Sequence, residues 1–382
     1  MARSFHKRCF APKKSSLGFI NPFLNFIAIL LASKSIRMTA NFFSNQKLRF
    51  IIILIGIIIL IALNLVLIFL YVEGKNSKRY KGFEASTSLE TINTIRLKGY
   101  NFCKPLLMVD IPAQSKKLEL LKKKIENFIQ TQKSKGLIST ASVYFKAFNN
   151  GNWLQVNESE KYYPASMFKL PILISFLKLA EEEPGLFDQK TTIKNEQPDE
   201  RDPRNAGDYL HKGQAYSYRE ILKYMIVNSD NEAADILAMK VGIDNLEKLC
   251  IVLGINGDMS NKDFQISVAD MSKFMRVLFN ASYLSPENSD YALQLLTESK
   301  YGEGIRKFID PSIVIAHKFG ERNIASDPQL HETAIIYLNN NPVVLTIMTK
   351  GNNYNNLSDV IAQMSKMILI DVIENSAGVS EY

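Results

Sequence analysis

Cysteine is scarce in this chain: Cys9, Cys103 and Cys250 are spread over 382 positions. Three distant thiols cannot all pair, which excludes a disulfide framework. Histidine is almost as rare, with four residues that show no ligand spacing among themselves or with the cysteines, so a zinc site is not indicated. Acidic side chains are missing altogether from residues 1–49, which carry nine lysines and arginines. The formal charge of +8 therefore belongs to that tail, because the rest of the chain holds 37 basic against 38 acidic side chains. A basic groove for nucleic acid in the main domain is unsupported. Internal repeats and low-complexity tracts are absent as well, which excludes a solenoid.

Charge is also absent from Phe50 to Val72, and what fills those 23 residues is almost wholly apolar, with Asn64 the one strongly polar side chain. A run of that length predicts a transmembrane helix at 50–72. A soluble core helix seldom stays apolar on every face over so many residues, and no small-residue cleavage pattern follows to mark a signal peptide. Lys75, Lys78, Arg79 and Lys81 follow closely, so local charge asymmetry is slight. The acid-free tail points to an inside N-terminus and a single-pass protein of the cell membrane with its main domain outside the cytoplasm. The shorter run at 17–32, broken by Asn21, Pro22 and Asn25, is a second membrane contact, an interfacial segment, or sequence upstream of a start at Met38.

Residues 73–96, rich in Lys, Ser, Thr and Glu, read as a linker, and a globular domain is expected over 97–378. Leu118, Leu121, Ile125, Phe128 and Ile129 form one helical stripe. Residues 142–148 and 153–157 read as a hairpin about an Asn-Asn-Gly-Asn turn. Helical patterns dominate from 166 to about 300, including a capping box at Ser217 and Glu220. Strands return near SIVIAHKF, ETAIIYL and VVLTIMT, and a last amphipathic helix carries Leu357, Val360, Ile361, Met364 and Ile368. Strands from both ends with helices between them predict one α/β domain with an inserted all-α lobe.

Within the stretch YYPASMFKLPIL, Ser166 and Lys169 are three apart at a helix mouth, and so share a face. Serine needs a base to become a nucleophile, and a lysine serves if burial or a second cation lowers its pKa. The S-x-x-K spacing is weak evidence alone, for it also occurs at Ser4/Lys7, Ser44/Lys47 and Ser175/Lys178. Two further stretches change its weight: Asn228-Ser229-Asp230-Asn231-Glu232 at a junction of helical patterns, and His317-Lys318-Phe319-Gly320-Glu321 ending an apolar strand. Taken singly, the first is a helix cap and the second a solvated strand end. His317 reads as a packing or hydrogen-bonding residue, and His331 as the opening of a strand.

Together, Ser166-Met-Phe-Lys169, Ser229-Asp230-Asn231 and Lys318-Phe-Gly320 resemble the S-x-x-K, S-D-N and K-T-G elements of class A β-lactamases and penicillin-binding proteins. The resemblance implies a five-stranded antiparallel sheet flanked by helices. It implies that Ser166 is acylated, that Lys169 accepts its proton, and that Ser229 relays a proton to the leaving nitrogen. Asn231 would hold the substrate amide and steady Lys169, and Lys318 would attract a carboxylate and help keep Lys169 neutral. The backbone amides of Ser166 and Glu321, beside Gly320, would form an oxyanion hole, a contact worth about 3–4 kcal/mol per donor. No metal or organic cofactor is implied, and the partner is a β-lactam or a D-Ala-D-Ala-type peptide.

Two departures qualify this. Phe319 stands where threonine is usual, removing a hydroxyl for a substrate carboxylate, while Glu321 adds a negative side chain with Arg322 as counterweight. No glutamate occurs between Cys250 and Pro286, where a class A β-lactamase carries the one that activates the deacylating water. Asp258 and Asp263 are the acids of that loop. The expectation is a membrane-anchored serine acyl hydrolase with slow deacylation; the alternatives are a D,D-peptidase or a non-catalytic penicillin-binding sensor or structural module.

Overall fold

The computed structural model describes residues 54–58, 60–64, 93–97, 105–111, 114–194, 209–259, 261, 263–323, 328–338 and 341–377. It comprises two compact units, Met1–Thr87 and Ser88–Tyr382. In the first, residues 54–58 and 60–64 are helical, and the Asn64 side chain donates to the Leu60 carbonyl at 2.9 Å. Their large apolar side chains lie bare, from 50 % exposed at Ile55 to 66 % at Leu60. The rest of the expected 50–72 span lies outside the described residues, as do 1–49 and the linker up to residue 92. Among the described residues no helix is long and apolar enough to cross a membrane.

The second unit is built on an antiparallel five-stranded sheet. Its strands are β3 (Thr140–Ala147), β4 (Trp153–Val156), β7 (Ile315–Arg322), β8 (Gln329–Leu338) and β9 (Asn341–Lys350), in spatial order β4-β3-β9-β8-β7. Val343, Leu345 and Ile347 of β9 join one apolar cluster and Val344 and Met348 the other, so successive residues of one strand serve two cores. A sheet covered on both faces explains why these strands read as continuous apolar runs rather than alternating ones. One face is covered by α1 (Glu119–Ser134) and the final helix (Tyr354–Ala377), which bury Leu121, Ile125 and Ile129, and Leu357, Ile361 and Met364 respectively.

The other face meets the helical lobe: α2 (Lys169–Glu182), α3 (Tyr218–Val227), α4 (Asn231–Val241), α5 (Ile243–Val252), α6 (Val268–Phe279) and α7 (Pro286–Thr297), with the final helix becoming α8. Helix α2 runs through the middle of the lobe, buried continuously from Lys169 to Leu177. Pro171 is tolerated because it lies in the first turn, where its missing N–H has no intrahelical partner. Ser217 and Glu220 close the expected capping box on α3.

Two elements escape a reading by local pattern. Strand β1 (Asn93–Arg96) pairs with β2 (Leu106–Asp110), so the last four residues of the expected linker are a strand. Its hydrogen bonds come from a partner segment, which the polar local composition does not disclose. A short pair inside the lobe, β5 (Lys190–Thr192) with β6 (Ala215–Ser217), is likewise set by pairing.

Candidate active site

Ser166 lies in a 3₁₀ turn, Ala165–Phe168, that runs directly into α2. The residue before it, Ala165, is held at φ 50°, a left-handed conformation that a Cβ disfavours. Strand β7 pins this turn from the side: a Cβ on Gly320 would stand 2.7 Å from the Met167 nitrogen and 2.9 Å from both the Ser166 nitrogen and the Pro164 carbonyl. Gly320 is thus a point of close backbone approach, and the edge strand and the serine turn meet there without a side chain between them.

Ser229 lies in the link between α3 and α4, also left-handed at φ 56°. The cap of α4 is Asp230 rather than Ser229: its carboxylate accepts from the Ala233 amide and from the Leu210 amide, each at 2.9 Å. That corrects the helix-cap reading of Ser229, whose hydroxyl is left for the site. Both strained residues at the site are neither glycine nor asparagine, so no residue type announces them.

The three stretches converge on one amine. Lys169 Nζ donates toward Ser166 Oγ at 3.2 Å, Ser229 Oγ at 3.1 Å, the Ser229 carbonyl at 2.5 Å and Asn231 Oδ1 at 2.7 Å. Lys318 Nζ donates to the same Ser229 Oγ at 2.9 Å and to the Phe319 carbonyl at 3.1 Å. Ser229 Oγ therefore bridges the two lysines. Among the described residues every acceptor of Lys169 is neutral, and burial pushes its pKa down to about 7, against the opposing pull of the Asp230 and Asp235 charges. Lys318 is driven well below the ordinary lysine range by burial first and by the Lys169 charge second, with Glu332 and Glu321 acting the other way.

Phe319 packs with the α1/α8 cluster, where it is buried and stacked on Tyr301 with ring centroids 4.1 Å apart, and the Lys318 amine lies 4.5 Å from its ring centroid. It is a core residue that supplies no hydroxyl. His317 meets the fully buried Glu332, Nδ1 to Oε1 at 2.6 Å, which supports the packing reading. His331 lies inside β8, its Nδ1 accepting from the Thr349 amide at 3.1 Å. Glu321 pairs across to Leu330, and Arg322 lies over the Tyr163 ring.

In the loop between S-D-N and K-F-G, Asp258 and Asp263 are exposed. Phe264 of that loop rests edge-on against Phe168, two residues past the serine, at 6.4 Å. Among the described residues no cluster of His, Cys, Asp and Glu could hold a metal ion.

The pattern described as the Beta-lactamase enzyme family matches residues 120–372. PBP-A, solved as a mutant's acyl-enzyme complex with penicillin G, is 24% identical, with 67% of this chain and 97% of that one covered and a TM-score of 0.57. The TLA-1 extended spectrum β-lactamase is 20% identical, covering 68% and 100% at a TM-score of 0.59. A β-lactamase from Chitinophaga pinensis is 18% identical, covering 66% and 100% at 0.57. At such identities the structural likeness is one of fold. No curated protein matches the sequence. With its family pattern spanning most of the chain and the same fold around the three motifs, the protein belongs to the Beta-lactamase enzyme family.

Proposed function

We propose that the protein is a membrane-anchored serine acyl hydrolase that forms an acyl-enzyme at Ser166 with β-lactams or D-Ala-D-Ala-type amides and releases it slowly. The observation that carries this reading is the Lys169 amine, 3.2 Å from Ser166 Oγ, buried and with a pKa about 7. Neutral Lys169 takes the hydroxyl proton as Ser166 Oγ attacks the amide carbonyl carbon. The C–N bond then breaks, and the leaving nitrogen collects a proton through Ser229 Oγ, which both lysines already contact. The Ser166 and Glu321 amides stabilise the oxyanion in this scheme, supported by the close approach of β7 to the serine turn.

Release needs a second nucleophile and a base for it. The loop that would bring a glutamate has none, and Phe264 lies beside Phe168. Slow deacylation follows, and with it a D,D-peptidase or a penicillin-binding sensor as the second reading. Support for an anchor at 50–72 is the run of bare apolar side chains from Leu54 to Leu63. The test is intact-mass detection of the acyl-enzyme with penicillin and with a D-Ala-D-Ala peptide, followed in time. A stable adduct on the wild type and none on Ser166→Ala is expected. Adducts on both proteins, or on neither, overturn the assignment.

A further inference from the structure

Water can release an acyl group from Ser166 only if some base takes its proton, and the stretch from Cys250 to Pro286 brings no glutamate for that task. Another element supplies the candidate. The carboxylates whose charge reaches Lys169 are Asp230, at the cap of α4, and Asp235, in the second turn of that helix. Asp230 is already engaged. It is 2 % exposed, and its two oxygens accept from the Ala233 and Leu210 amides at 2.9 Å each. Asp235 is an exposed residue, and among the described residues no hydrogen bond or ion pair engages its carboxylate.

The helix sets where that carboxylate lies. Asn231 and Asp235 are four residues apart on α4 and so share a face, while Glu232, Ala233, Ala234 and Leu237 are buried. That shared face begins at the site, because Asn231 Oδ1 accepts from Lys169 Nζ at 2.7 Å. One helical turn, about 5.4 Å along the axis, separates Asp235 from that contact. Helix α2, which carries Lys169, packs against α4. Partial burial lifts the Asp235 carboxyl above its ordinary value, with Lys169 opposing and Asp230 adding. A more basic carboxylate is the better proton acceptor.

We propose that Asp235 is the base that activates water for release of the Ser166 acyl group. This rests on the acyl-enzyme reading and supplies the base that reading lacks. The water oxygen bonds to the ester carbonyl carbon as Asp235 takes one of its protons. The bond from that carbon to Ser166 Oγ then breaks, Oγ receives a proton from Lys169, and Asp235 passes its own proton to Lys169. A free acid and the Ser166 hydroxyl result, with Asp235 ionised again. An aspartate fixed on a helix has a shorter reach than a glutamate carried in by a loop, which agrees with slow release.

The test uses the full chain acylated with penicillin G and freed of excess reagent, with the Ser166 adduct followed by intact mass. On the wild type the adduct should decay, and its decay should slow as acid protonates Asp235, whose pKa is set against Lys169 on α2 and Asp230 at the α4 cap. Asp235→Asn should still form the adduct but lose it about 10²- to 10⁴-fold more slowly, and Asp235→Glu should restore much of the release. Acylation of Asp235→Asn should also move to lower pH, because the Asp235 charge holds the Lys169 pKa up. That shift with release unchanged overturns the assignment and leaves Asp235 as a charge that tunes Lys169. Asp263→Asn, in the loop, should release at the wild-type rate; slow release there and not in Asp235→Asn also overturns it. A wild-type adduct that does not decay overturns this inference while the acyl-enzyme stands, and no adduct at all overturns both.

Discussion

Two pairs of buried cations lie in the same domain, and they are treated oppositely. Lys146 on β3 and Arg276 on α6 converge on a carboxylate: Asp110 Oδ1 accepts from Lys146 Nζ at 2.8 Å and from the Arg276 guanidinium. Lys169 and Lys318 converge on a hydroxyl, Ser229 Oγ. Burial acts to raise Asp110, but the Arg276 and Lys146 charges hold it below the usual carboxylate range. Lys146 is lowered by burial and by Arg276, with Asp110 pulling it back. Among the described residues nothing ionic touches Lys169, and burial takes it down to about 7. The difference shows how one fold makes one cluster structural and the other reactive: a carboxylate in contact keeps the charge on an amine, and its removal to the second layer, at Asp230 and Asp235, lets the proton go.

The largest effect expected from breaking this contrast is on Lys169. Lys169→Met keeps the volume and removes the base, so acylation by a fluorescent penicillin should slow by about 10²- to 10⁴-fold. The midpoint of denaturation should hold or rise, because an apolar chain replaces a buried amine. A variant that labels at the wild-type rate would show that the amine does not prime Ser166. The converse substitution is Asp110→Asn. It leaves Arg276 and Lys146 facing each other with side chains 4 % and 10 % exposed, at a cost of about 3 kcal/mol in stability. That is the lower end for a broken buried pair, because Asp110 itself stays 32 % exposed. Urea denaturation measures it, and the protein that remains folded should acylate normally. Equal loss of stability and rate would mean that the clusters are one unit.

The reactive cluster was the more legible of the two, for a physical reason. Ser166 and Lys169 are one helical turn apart, so their juxtaposition follows from local geometry, and S-D-N and K-F-G are short segments with recognisable order. Asp110 lies 36 residues from Lys146 and 166 from Arg276, and no local period links them. The left-handed backbone at Ala165 and Ser229 is imposed by the packing of β7 and α4, with residues that do not favour it, and leaves no trace in composition. Phe319 was half legible. Its lack of a hydroxyl is plain from the sequence, but its place in the Tyr301 stack depends on a strand whose two faces are both buried, where alternation of polar and apolar residues gives no guide.

The smallest effect, and the sharpest form of the contrast, is in pH. A base with a pKa about 7 gives an acylation rate that rises about tenfold per unit below that value and flattens above it. The same groups act on stability in separate windows. Lys169 has a folded pKa below its ordinary 10.5, so holding its charge in the fold is unfavourable at low pH, and that cost fades as pH rises from about 7 to 10.5. Lys318, lowered in the same direction, adds to that window. Asp110 has a folded pKa below 3.8, so its contribution is full above that value and is lost as pH falls through the folded one. Stability measured against pH should therefore climb twice, once in acid and once in the alkaline range. Asp110→Asn should flatten the first climb, and Lys169→Met should reduce the second and abolish the rate profile. A single climb shared by both variants would mean that the two pairs of cations titrate together, and the separation of a structural from a reactive cluster would fall.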